Sequence, residues 1–270
     1  MDKKKAVYQR EDAGFVRVVD EFMTYQSQVA NTYDRRAIEA LGFPRNIKRV
    51  LDIGCGNGHH LKNLKALFPD SSWVGIDINS QLIKKAGQLH EGSKDVTFKN
   101  ISVFDYKPDA PFDAVFSTIT LQYLADRMDD FFKQLDLFLK PGGAVFFFES
   151  EKSYNAIYPK NPSLVRLCAA IDQVVMDPCI TIRIPHYLEK YGFKDIQYYP
   201  LIFNQYNADP DLYFKYLEYA ARVTQIMAPA EYTAEDLNAL LHIIRDKEFK
   251  KGMIYNFSGA YVVAKKGAAS

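Results

Sequence analysis

Residues 50–60, Val-Leu-Asp-Ile-Gly-Cys-Gly-Asn-Gly-His-His, constrain the fold of this chain more than any other stretch. Val50, Leu51 and Ile53 form a short apolar run of the kind that makes a buried strand, and Asp52 sits near its carboxyl end. Gly54, Gly56 and Gly58 follow at alternate positions, where the missing side chains let the backbone turn tightly and approach a ligand. A helix beginning near His59 then aims its amino end at the same place. The next apolar run, Trp73-Val-Gly-Ile-Asp77, ends in a second acid, placed to accept hydrogen bonds from a ribose diol. Strand, glycine turn, helix, strand and acid read together as a βαβ unit built for a nucleoside.

Glycine spacing narrows the choice of nucleoside. The dinucleotide pattern G-x-G-x-x-G brings bare amides to a pyrophosphate. Here the third glycine arrives one residue early, and Asp52, two places before the first, repels a pyrophosphate while suiting a ligand that carries an ammonium and a sulfonium. S-adenosylmethionine carries both. At these residues the chain resembles the class I S-adenosylmethionine-dependent methyltransferases, whose first motif has the form (V/L)LD(I/V)GCGxG. Phe112-Asp-Ala-Val-Phe-Ser117 reads as their fourth strand, and Leu139-Lys-Pro-Gly-Gly143 before Ala144-Val-Phe-Phe-Phe148 resembles their turn into the fifth.

The resemblance implies an α/β fold, a seven-stranded, doubly wound Rossmann-like sheet, with S-adenosylmethionine as methyl donor and S-adenosylhomocysteine as product. It implies that Asp52, Gly54, Cys55, Gly56, Asn57 and Gly58 surround the methionine part, with Tyr33 and Arg36 closing over its carboxylate. Asp77 and Ile78 fall at the ribose, and Ser117, Gln122 and Tyr123 lie at and just past the fourth strand, Gln122 and Tyr123 at positions that often face the methyl group. One departure concerns the adenine. Most relatives place an aspartate after the third strand to take the adenine amine; here Ser102 stands there, with Asp105 three residues on. Ser102 can accept that hydrogen bond, the Val103 amide can serve the ring and Phe104 can cover its face, so the holder of the amine stays open.

At 270 residues the chain exceeds the roughly 150 to 200 of one domain, which predicts an elaborated core or a core with an inserted lobe. Its net charge of +1, from 34 basic and 33 acidic residues, leaves no electrostatic footprint for nucleic acid or an anionic membrane; Lys3 to Lys5 is the one basic block. Without a signal-peptide pattern or a long apolar run, a cytoplasmic location is expected. Cys55, Cys168 and Cys179 are odd in number and lack ligand spacing, so they read as reduced thiols and no metal is expected.

Three helical regions flank the βαβ core. One carries Phe15, Val18, Val19, Phe22 and Val29 and continues to Arg36; a second runs from Leu164 to Val175; a third is a pair, with Leu212, Tyr216, Tyr219, Val223 and Ile226 on one face and Leu237, Leu240, Leu241 and Ile244 on the next. Thr233 and Asp236 read as a capping pair. The resulting division is cap helices over 1–45, a donor-binding core over 46–150, a cap segment over 151–190, and two strands over 191–270 with a helical insertion at 204–248. Ligands of open α/β sheets bind outside the carboxyl ends of the strands, so these helices are expected to roof the donor.

The cap is rich in tyrosine, with Tyr154, Tyr158, Tyr198, Tyr199, Tyr206, Tyr213, Tyr216 and Tyr219 in or beside it, which suits a closed pocket for a small acceptor methylated at O, N or C. A general base is needed only where the acceptor must lose a proton; His186, His59, His60 and a cap tyrosine are the candidates, with His186 and Tyr123 assigned to catalysis. Two other classes remain open, a methyltransferase for RNA or protein and a cofactor-binding protein without methyl transfer. A homodimer is compatible with either.

Overall fold

A computed structural model describes residues 10–151, 156–158, 161–174, 177, 179–246 and 254–267. Lys3 to Lys5, Tyr154, Val175 and Lys247 lie outside the described residues, as does the side chain of Tyr158.

Five strands, β1 (Arg49–Ile53), β2 (Ser72–Asp77), β3 (Val96–Asn100), β4 (Phe112–Thr118) and β5 (Leu139–Ser150), form the parallel part of one sheet. A three-residue β6 (Ala156–Tyr158) and the long β7 (Phe193–Phe203) both pair antiparallel with β8 (Ile254–Lys266), which also pairs antiparallel with β5. The principal order is β3-β2-β1-β4-β5-β8-β7, the expected seven, with β6 added at the start of β8. Between β3 and β4 the order reverses about β1, so the crevice at the carboxyl ends of β1 and β4 is the natural ligand site.

Strand residues alternate between two apolar layers, as a pleat requires. Val50, Ala114, Phe116 and Phe146 face one layer; Leu51, Val115, Val145 and Phe147 face the other. The first layer is covered by α1 (Ala13–Ala40), α2 (His59–Leu67), α5 (Pro162–Val174), α7 (Pro210–Met227) and α8 (Ala234–Ile243). The second is covered by α4 (Met128–Phe138), entered through a 3-10 turn at Leu121–Arg127, and by α6 (Ile180–Lys190). Helix α3 (Ser80–Leu89) contributes Leu82 to a small cluster with Phe15, Val16 and Val19 of α1 and Val223 of α7.

Helix α1 is one continuous rod of 28 residues that runs through the Asn31 to Arg36 stretch, started by Asp12, whose Oδ1 accepts from the Phe15 amide at 2.9 Å. The insertion between β7 and β8 forms the expected pair. Asp209 caps α7 ahead of Pro210, and Thr233 and Asp236 make a reciprocal capping box on α8. This pair is not an appended lobe: Tyr213, Leu217, Tyr232 and Leu240 are fully buried in the same cluster as Phe146 and Tyr261 of the sheet. The 151–190 segment divides between the layers, since α5 joins α7 and α8 on the first while Ile180, Ile184 and Leu188 of α6 fill the second.

Candidate functional site

The turn after β1 is positioned by its own backbone. Gly54 and Cys55 donate to the Ile76 carbonyl at 2.8 and 3.1 Å, stitching the turn to β2. Gly54 and Gly56 have φ of 73° and 52°, the left-handed region that glycine enters without cost. A side chain at Gly54 would collide with Thr120, and one at Gly56 would stand 2.7 Å from the Met23 sulfur. Glycine is therefore demanded twice, by dihedral and by space.

A cavity of about 390 Å³ opens over this turn. Its floor holds two acids. Asp77, at the end of β2, takes the Gly56 amide on Oδ2 at 3.0 Å and the Asn79 amide on Oδ1 at 2.9 Å, with the Ile78 amide adding a third bond, which fixes the carboxylate and leaves it acceptor capacity to spare. Burial raises its pKa, opposed by those amide bonds. Asp52 is only 1% exposed and its Oδ2 is buried without a partner. Burial pushes it up to about 7, against the pull of the His60 charge and with the repulsion of Asp77. Asp52 borders the cavity, but this oxygen has no open surface of its own, so its influence on a ligand is chiefly that of a nearby negative charge.

The roof is α1. Val19, Phe22, Met23 and Gln26 line the cavity from one helical face, joined by Val223 of α7. Asn57 fastens this helix to the turn, its Nδ2 donating to the Asp20 carbonyl at 3.0 Å and the Asp20 carboxylate at 2.9 Å. One wall is the segment after β4, Thr118 to Thr120 with Tyr123 and Leu124. Ile119 has φ of 50°, a strained setting for a β-branched residue. It is held there by its amide bond to Phe148 at 2.7 Å and by Glu149, whose Oε1 accepts from the Thr120 and Leu121 amides at 2.7 and 2.6 Å. The opposite end is formed by Ile101 to Phe104, with the Arg127 guanidinium 3.6 Å over the Phe104 ring.

Asp52, Gly54, Cys55, Gly56, Asn57, Asp77, Ile78, Ser102, Val103, Phe104 and Tyr123 all line this cavity. The remaining expected site residues stand elsewhere. Gly58 packs against Ala86 and Phe98, Ser117 is fully buried with its hydroxyl on the Ile53 carbonyl at 3.2 Å, and Gln122 is buried under the 3-10 turn. Tyr33 is turned into the core, donating to the Asn207 carbonyl at 2.7 Å, and Arg36 is exposed, because both lie on faces of α1 other than the one over the cavity. His186 is exposed on α6, on the other layer of the sheet, where its ring meets Tyr187 edge-on. The cap tyrosines are chiefly structural: Tyr213 and Tyr216 are core, Tyr219 stacks on Tyr25, and Tyr123 is the one tyrosine among the cavity-lining residues.

Residues missed by the sequence reading are Met23, Gln26, Ile119, Thr120 and Arg127. Met23 and Gln26 had a signal, since they continue the three-and-four spacing from Val19 and Phe22. Among the described residues, no helix is long and apolar enough to cross a membrane, and no group of three or more His, Cys, Asp or Glu is placed to hold a metal ion.

A glycine turn and two strand-end acids at the carboxyl edge of a sheet in this order lie where open α/β sheets bind their ligands. Residues 50–143 match the family described as a methyltransferase domain. It is 29% identical over 151 residues to malonyl-(acyl-carrier protein) O-methyltransferase 2 of Ilyobacter polytropus, covering 49% of this chain and 58% of that protein. It is 28% identical over 144 residues to a trans-aconitate 2-methyltransferase of an Acidovorax species, covering 53% and 48%. The chain thus spans about half to three fifths of the length of these relatives. In fold it is similar to phosphoethanolamine N-methyltransferase 2 of Haemonchus contortus, at a TM-score of 0.56 and 21% identity over 87% of this chain and 52% of that one.

Proposed function

We propose that this protein is an S-adenosylmethionine-dependent methyltransferase acting on a small-molecule acceptor at O, N or C, in the cytoplasm. The observation that carries the reading is the cavity, with the glycine turn and both acids beneath it and α1 above. The residues present fit the donor. Asp77 has lone-pair capacity left for the ribose hydroxyls, Asp52 places a carboxylate close beneath a cationic tail, and Ser102, Val103 and Phe104 form an edge and a face for adenine, with Arg127 beyond the ring.

When bound, the donor supplies an electrophilic methyl group on a sulfonium. The chain's own contribution is orientation and exclusion of water. Holding two reactants in line can lower a barrier by roughly 7 to 11 kcal/mol, and Val19, Phe22, Met23 and Val223 keep the roof apolar. By their names the two relatives methylate a malonyl group borne on acyl-carrier protein and trans-aconitate, and the second supports a small acceptor. Isothermal calorimetry with S-adenosylmethionine and S-adenosylhomocysteine is the direct test; absence of binding to either would overturn this reading. Binding without turnover of any acceptor would leave a cofactor-binding protein instead.

A further inference from the structure

The cavity has a second polar feature that the donor reading above does not use. His60, on the first turn of α2, lines the cavity, and its side chain is 14% exposed. Its Nε2 stands 2.8 Å from Asp34 Oδ2. Asp34 belongs to α1 and is 1% exposed; its other oxygen accepts from the Tyr261 hydroxyl of β8 at 2.9 Å. Roof helix, glycine-turn helix and central antiparallel strand therefore meet in one hydrogen-bonded chain, Tyr261 to Asp34 to His60.

With both carboxylate oxygens of Asp34 engaged, the imidazole is oriented through Nε2, which leaves Nδ1 as its remaining polar atom. Burial works against a charged imidazole here, yet the charge and hydrogen bond of Asp34, with the further charge of Asp52, raise the His60 pKa. An imidazolium on the cavity wall thus stands in the field of Asp52, the acid whose Oδ2 has no partner. A cation and an anion side by side complement an amino-acid zwitterion, with its carboxylate and ammonium on one carbon. Tyr33 and Arg36, the residues the sequence suggested for the carboxylate, do not reach the cavity.

We infer that His60, set by Asp34 and Tyr261, binds the carboxylate of the donor's amino-acid tail in the field of Asp52, which favours the neighbouring ammonium, and that this link latches α1 over the donor. The inference rests on the donor reading. Its mechanical part follows from connectivity: Asp34 stands on the roof helix and His60 on the floor, so a ligand anion on His60 strengthens the floor-to-roof bond by holding the imidazole charged.

Two probes separate tail recognition from general stability: S-adenosylhomocysteine, which has the zwitterionic tail, and 5′-methylthioadenosine, which lacks it. By calorimetry His60→Ala is expected to weaken S-adenosylhomocysteine roughly 10- to 100-fold, the range of a lost charge-assisted hydrogen bond, and to leave methylthioadenosine within about twofold. Asp34→Asn, which keeps the shape and removes the charge, is expected to move the two affinities in the same pattern. In the parent protein, hydrogen exchange across residues 13–40 should slow with S-adenosylhomocysteine and not with methylthioadenosine, and His60→Ala should abolish that difference. Equal losses for both probes assign His60 a structural role and overturn the proposal, as does unchanged S-adenosylhomocysteine affinity in His60→Ala. A parent protein that binds neither probe overturns the donor reading itself.

Discussion

Glu149 sits in the setting least like water: it is fully buried, with one oxygen shared by two amides and the other unpartnered. Burial pushes its pKa up to about 8 from 4.5, against the pull of the Leu121, Thr120 and Gln122 amides. Between those two values the folded chain holds a proton that the unfolded chain has lost, so stability falls as pH rises through this window, by an amount on the order of a few kcal/mol. Glu149→Gln keeps an acceptor for both amides and removes the titration. Its denaturation midpoint should fall less than the parent's between pH 6 and 8.5, with Asp52 sustaining a residual slope; parallel pH profiles would contradict the assignment. Asp77→Ala tests the floor instead, and should weaken S-adenosylhomocysteine by roughly ten- to several-hundredfold in calorimetry. Single residues were legible in the sequence where a local pattern sets their position. The glycines, Asp52 and Asp77 are placed by one strand and one turn, whereas Tyr33, Arg36 and His186 depend on which face of a helix meets the sheet, and that is decided by packing from distant segments.

At the scale of elements, α1 and the α7–α8 pair divide the work of the roof unequally. Helix α1 lays one face on the cavity and is fastened at Asn57 and His60; α7 adds Val223, while α5 and α8 buttress α7 from behind. The insertion was readable as two helices from its spacing and its caps, but its burial was not, because that requires knowing which strands it covers. Helix α6 was hidden for another reason: Pro185 lies inside it, and a proline there ordinarily breaks a helix. Replacing residues 204–248 by a short linker should therefore yield no cooperative thermal transition, because each fully buried large side chain contributes about 1.5 to 3 kcal/mol and a whole domain's stability is only about 5 to 15 kcal/mol. A folded, donor-binding deletion variant would show the insertion to be dispensable. A milder change, Phe22→Ala in the roof, should keep the fold and loosen enclosure, read as faster hydrogen exchange at residues 13–40 in the donor-bound state.

For the whole molecule, the question is what kind of acceptor fits. The chain's charges nearly cancel, 34 basic against 33 acidic residues, so its net charge supplies no general attraction to a phosphate backbone. The cavity of about 390 Å³ lies at the small end of ligand pockets, roughly 300 to 1,000 Å³, and its roof is tied down at two points of α1. A roof held in this way suits the small acceptor proposed above. His186 is exposed on α6 and is not among the cavity-lining residues, so His186→Ala should retain methyl transfer within about twofold, where loss of a true general base costs roughly 100-fold or more. The assay is incorporation of label from S-adenosylmethionine into fractionated metabolite extracts, then into total RNA and total protein from the same cells. Label should appear in a low-molecular-weight product, with both macromolecular fractions at background; a labelled RNA or protein as best acceptor, or a His186→Ala variant slowed a hundredfold, would replace the small-molecule reading.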